Sequence, residues 1–318
     1  MLAMIRLYTF AFFLLFHFSL QAQTIEGISP PVQLDFTEKT EVIEEITFKP
    51  LRNVGESAIA VVIGNEQYEG GFPNLQFAKQ DADLITDLLT KSFGFLNKNI
   101  EYIPNATKTK MEGVFGTNED FRQKLYNKII PGVTKEVFIY YVGHAGPNGN
   151  NPADKRAYLI LKDTEKEAVS ATGYPLETLY KNLEKLPVTK ITVVLDACFS
   201  GENLGYTNAA TINTEDVFKK SPTLLQKGVV LTAAEKEQFA IRDEARQHGL
   251  FTYELVKAIC NPKASDSNGD GKISFSEIIN TLNDPKNGVP AIAREQNKSQ
   301  SPTVNGGLKN SIFFTFTP

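Results

Sequence analysis

The chain has 318 residues, 33 of them Lys or Arg against 37 Asp or Glu, for a net charge of −4. That length allows one large domain or two small ones, and the near balance of charge, with no Lys/Arg-rich run, gives no footprint for nucleic acid. Two cysteines exclude a disulfide framework, and no CxxC or HExxH spacing exists to seat zinc.

The opening MLAMIRLYTFAFFLLFHFSLQAQ carries one arginine, an apolar run from Leu7 to Leu20 and the small Ala22 before polar sequence. These are the parts of a secretory signal peptide over residues 1–22, cut near Ala22 or Gln23. An uncleaved anchor is the alternative, the run being short for a span. The mature chain is expected to be secreted or periplasmic and clear of the membrane. It keeps His144, His248, Cys198 and Cys260, and free thiols in an oxidising compartment need a reason. Residues 23–56, with Pro30, Pro31, Pro50 and Gly55, read as a linker or short pro-segment.

From residue 57 to 318 the pattern is that of one domain. Apolar runs of strand length (58–64, 99–103, 136–143, 156–163, 191–197) alternate with helical stretches over 74–93, 117–130 and 175–186. In the first of these Leu75, Ala78, Ala82, Ile85, Leu88 and Leu89 repeat at three and four, and Thr117 is placed to cap the second. Residues 199–227 have no period, which in a compact domain marks a functional loop. GVVLTAA (228–234) resumes the sheet, LFTYELVKAI (250–259) predicts a helix, and SIFFTF (311–316) a closing strand. Strands alternating with helices imply an α/β fold with a mostly parallel sheet covered on both faces.

Ligands of such sheets bind beyond the carboxyl ends of the strands. EVFIYYVG runs into His144 there, and ITVVLDA runs into Cys198. An imidazole that takes the proton of a nearby thiol leaves a thiolate able to attack a carbonyl, and the glycine-rich turn GHAGPNG and the turn after Cys198 offer N–H donors for an oxyanion. Cys260, near the end of a helical stretch, reads as packing.

YYVGHAG and VVLDACFSG resemble the His and Cys motifs of the caspase-like cysteine peptidases, in particular the bacterial metacaspase/orthocaspase branch. AIAVVIGNEQY, NLQFAKQDADLI, GVVLTAAEKEQFA, HGLFTYELVKAI and SPTVNGGLKNSIFFTF extend the likeness over nearly the whole mature chain. The resemblance implies a caspase-like three-layer sandwich, with a mostly parallel six-stranded sheet and an antiparallel edge strand. It makes His144 the general base, Cys198 the nucleophile, and the N–H groups of Ala145 and Cys198 the oxyanion donors. Asp196, two residues before Cys198, shares its face of the strand. By resemblance, Asp196 and Asp81 form an acidic pocket for polypeptide substrates with Arg or Lys before the cut bond. The likeness also points to self-cleavage at Lys219, Lys220 or Lys227, to release of the pro-segment at Lys49 or Arg52, and to a monomer.

Residues 266–277, DSNGDGKISFSE, match an EF-hand-like calcium loop: Asp266, Asn268, Asp270, the Lys272 carbonyl, Ser274 and Glu277, with Gly271 at the turn. Calcium is therefore the one expected cofactor, and none is organic. Beside the endopeptidase stand two alternatives: a catalytically silent caspase-like module that uses its calcium loop and acidic cleft to dock a partner, and a peptide ligase using the same dyad.

Overall fold

The computed structural model describes residues 45–148, 156–197, 225–235 and 238–316. All belong to the unit that begins at Ile43. Along the chain the strands are β1 (Ala58–Gly64), β2 (Ile100–Pro104), β3 (Glu136–Val142), β4 (Ala145–Gly146), β5 (Tyr158–Leu159) and β6 (Tyr174–Pro175). There follow β7 (Lys190–Asp196), β8 (Gly228–Thr232), β9 (Arg242–Asp243), β10 (His248–Gly249), β11 (Lys272–Ser274), β12 (Thr303–Asn305) and β13 (Ile312–Thr315).

Six of them form the central sheet in the order β12-β8-β7-β3-β1-β2. Every pairing is parallel except β12 on β8, so the fold is the expected sandwich with one antiparallel edge. The inner strands are buried on both faces, which is why they read as continuous apolar runs. Period-two alternation sorts their side chains. Ile59, Val61, Ile63, Ile139, Tyr141 and Val193 pack on one side with residues of helices Lys108–Phe115 and Leu176–Glu184. Ala58, Ala60, Val62, Phe138, Tyr140 and Val194 pack on the other with helices Ala78–Asp87, Leu250–Cys260 and Phe275–Leu282. Small residues suit the second face: a Cβ on Gly64 would come within 2.9 Å of the Ala78 carbonyl oxygen.

Three expected elements differ. The stretch 117–130 is helical only at Lys124–Lys128, because Thr117 Oγ1 accepts from the N–H groups of Glu119 and Asp120 and closes a turn. The buried Asn182 holds that turn, donating to the carbonyls of Phe115 and Thr117 at 3.0 and 2.8 Å. RAYLILKD contributes β5 to a small sheet, β4-β5-β6, which carries the segment after His144. SIFFTF pairs as β13 with β11 of the calcium-type loop, and the antiparallel edge is β12. Phe313 stacks on Phe275 at 4.5 Å and meets Phe93 edge-on at 5.4 Å, so this strand roofs a core face instead of extending the sheet.

No helix among the described residues is long and apolar enough to cross a membrane. The signal-peptide stretch and most of the pro-segment lie outside the described residues. From Ile46 onward the chain is packed: Ile46, Phe48, Leu51 and Val54 lie against the second core.

Candidate active site

β3 and β7 are neighbours in register, Val142 opposite Asp196, and Gly143 N–H donates to the Asp196 carbonyl at 3.3 Å. The two motif-bearing strand ends therefore emerge side by side. Cys198 lies outside the described residues, but Ala197 before it lines, with His144, a cavity of about 130 Å³.

The backbone of His144 is gripped from both sides. Its N–H donates to Tyr68 Oη at 2.8 Å, and its carbonyl accepts from Tyr141 Oη at 2.7 Å. The ring lies 4.7 Å from the Tyr68 ring, and Nε2 is 2.9 Å from the Pro73 carbonyl oxygen. A carbonyl only accepts, so Nε2 carries the proton. Burial lowers the His144 pKa, the Pro73 contact opposes that, and the Arg242 charge adds to the lowering. The neutral ring thus keeps Nδ1 as its basic nitrogen. Ala145 sits in β4 without positive φ, so its Cβ is accommodated in extended backbone.

Asp81 stands in the first turn of helix Ala78–Asp87 and Asp196 ends β7; both are fully buried. Both pair with one cation, and that cation belongs to this chain. Arg242 Nη1 donates to Asp81 Oδ2 at 2.8 Å and Nη2 to Asp196 Oδ1. His248 Nδ1 donates to Asp81 Oδ1 at 2.9 Å, and Gly249 N–H reaches both Asp81 oxygens at 3.0 Å. Thr252 Oγ1 donates to Asp196 Oδ2 at 2.6 Å. Gly249 and Thr252 open helix Leu250–Cys260, whose N-terminus therefore points at the acids. Burial raises the Asp196 pKa against the pull of Arg242, and the Asp81 charge adds to the rise. Gly249 is required by packing: a Cβ there would fall 2.4 Å from Asp196 Oδ2 and 2.7 Å from each Arg242 Nη.

Sequence reasoning missed Arg242, Tyr68, Pro73 and Phe239, the last 46% exposed where it lines the cavity. The RDEARQHG stretch holds two arginines, Arg242 and Arg246, and nothing local in it singles out Arg242. Cys260 is packed as expected, with burial pushing its thiol up to about 11. Of the self-cleavage candidates, Lys219 and Lys220 lie outside the described residues, while Lys227 Nζ donates to the Leu186 carbonyl at 2.5 Å.

In the calcium-type loop, Asp266 accepts from the N–H groups of Gly269, Asp270 and Gly271, Asn268 from Asp270, and Asp270 from Lys272. Glu277 forms a capping box with Ser274, and its Oε1 accepts from Ser267 Oγ at 3.0 Å. Gly269 and Gly271 supply the positive φ angles of the turn. The donor set is all oxygen, which fits a hard cation. Among the described residues no three His, Cys, Asp or Glu side chains are gathered as metal ligands.

A match to the Caspase domain family covers residues 57–312, so the chain belongs to that family of cysteine peptidases. Among solved structures it is similar to caspase-1 from Spodoptera frugiperda, at 12% identity and a TM-score of 0.49, over 84% of this chain and 93% of that one. A search of curated proteins gives no match.

Proposed function

We propose that the protein is a secreted cysteine endopeptidase of metacaspase type that cuts polypeptides after Arg or Lys. His144 Nδ1 takes the Cys198 proton, and the thiolate adds to the scissile carbonyl while the N–H groups of Ala145 and Cys198 hold the oxyanion. The C–N bond then breaks, the amine leaves with the proton from His144, and water hydrolyses the acyl-enzyme. The observation that supports the basic preference is Arg242 itself, a guanidinium held across the carboxylates of Asp81 and Asp196. Two carboxylates that hold one guanidinium are suited to another.

The loop 266–277 would bind calcium through Asp266, Asn268, Asp270, the Lys272 carbonyl, Ser274 and Glu277, and fix the adjoining helix. Self-processing after Lys219, Lys220 or Lys227 and a monomeric state complete the proposal. A second reading, cleavage after an acidic residue, draws on the place of Arg242 in the cavity wall. Fluorogenic peptides ending in Arg, Lys or Asp, with Cys198→Ala as control, test both. Release from Arg or Lys peptides that vanishes in the control is the expected result. Release from Asp peptides alone favours the second reading, and no thiol-dependent release returns the chain to a binding role. Product mass separates hydrolysis from ligation.

A further inference from the structure

Arg242 sits where the basic side chain of a substrate would have to go. Its side chain is 14% exposed, and the Asp81 and Asp196 side chains beneath it are 0% exposed. Both acids have their remaining bonds satisfied from below, by His248, Gly249 and Thr252. The guanidinium lies across the pair and lines the cavity beside His144 and Asp196. Arg242 is carried on a two-residue strand, β9, paired among the described residues with β10, and the turn between them includes Gln247 at φ 55°. It is thus attached to a short hairpin and not to the central sheet.

We propose that Arg242 is a specificity-determining residue for the peptidase: a resident cation that competes with the substrate's basic side chain for the Asp81–Asp196 pair. The inference rests on the basic-pocket reading above. A tethered cation is present at high effective concentration, so only a guanidinium or amine presented by a well-bound peptide exchanges with it. Free small amidines are kept out. Removing the tethered competitor opens the pair to any cation that fits.

The test uses the mature protein and benzamidine, whose planar amidinium carries the same forked N–H donors. In Arg242→Ala, benzamidine is expected to raise the melting temperature, while the wild type shows no shift at the same concentration. KM for Arg-ending peptides falls about tenfold or more in this variant, at similar kcat. Arg242→Lys, whose point charge cannot bridge both acids, lies between. If Arg242→Ala is unfolded alone, benzamidine must restore a folding transition.

The proposal is overturned if benzamidine stabilises both proteins equally or neither, or if KM is unchanged or higher in Arg242→Ala. It is also overturned if wild-type cleavage after Asp is lost with Arg242, which would make the guanidinium a receptor for an acid. Absence of cleavage after Arg or Lys in wild type and Arg242→Ala alike, with Cys198 reactive to a thiol probe, defeats the basic-pocket reading itself. The benzamidine shift still decides the competition.

Discussion

His144 Nε2 lies 2.9 Å from the carbonyl oxygen of Pro73, a residue 71 positions earlier in the chain. That single acceptor fixes the tautomer, because an imidazole that donates through Nε2 is basic at Nδ1. The loop before helix Ala78–Asp87 thus orients a group that sits at the end of β3.

The pH dependence follows from the surroundings of that ring. Burial, helped by Arg242, holds the His144 pKa below its ordinary 6.5 against the opposing Pro73 contact. A lowered pKa keeps the imidazole neutral, and competent as a base, to lower pH. The acid limb of kcat/KM is therefore expected below about 6.5. A pH profile on the preferred peptide checks this, and a limb at or above that value contradicts the assignment.

Tyr68→Phe removes the acceptor of the His144 N–H while keeping the ring contact at 4.7 Å. A donor left unsatisfied costs about 1–3 kcal/mol. We expect kcat to fall several-fold as His144 loses its tether, with KM little changed. Kinetics beside a melting curve separate the two effects, and unchanged kcat with a lower Tm would make Tyr68 purely structural.

Gly249→Ala drives a methyl group to 2.4 Å from Asp196 Oδ2. Its φ of −65° is ordinary, so the clash and not backbone strain is the cause. Overpacking of this kind costs about 1–3 kcal/mol, and each kcal/mol lowers Tm by about 2–4 °C in a domain of this size. Thermal unfolding of the variant reads the result directly; an unchanged Tm would mean the Asp81–Arg242–Asp196 cluster yields without cost.

Calcium is expected to stabilise the protein. A ligand at a hundredfold over its Kd adds about 2.7 kcal/mol, or about 5–10 °C in Tm. Asp266→Ala, which removes the acceptor of three loop N–H groups, is expected to abolish the shift. Melting curves with calcium and with a chelator decide it, and a wild type indifferent to calcium leaves the loop a capped turn.

The inner strands were legible because β1, β3 and β7 are buried on both faces, and sequences of that kind have little besides apolar residues to show. His144 follows from its place just past such a run. The stretch 117–130 misled because Phe121, Leu125 and Ile129 repeat at four, while the turn that Thr117 closes on Glu119 and Asp120 is held by Asn182, more than 60 residues away. Arg242 was hidden for the same reason: its partners lie 161 and 46 positions off. No local pattern separates such an arginine from a solvated one.

Arg52 has a bearing on how the N-terminus can be trimmed. Its guanidinium pairs with Glu136 at 2.8 Å and lies 4.5 Å over Phe93, and the N–H groups of Leu51 and Arg52 donate to the Ser92 carbonyl. To be cut after Arg52, the chain would have to be pulled off the domain into an extended form. The exposed Lys49 precedes Pro50, so a cut there would face a tertiary amide without an N–H. Neither bond is presented in the fold in a form that suits cleavage. What looks in the sequence like the tail of a disposable leader works in the fold as a seam that holds the domain closed.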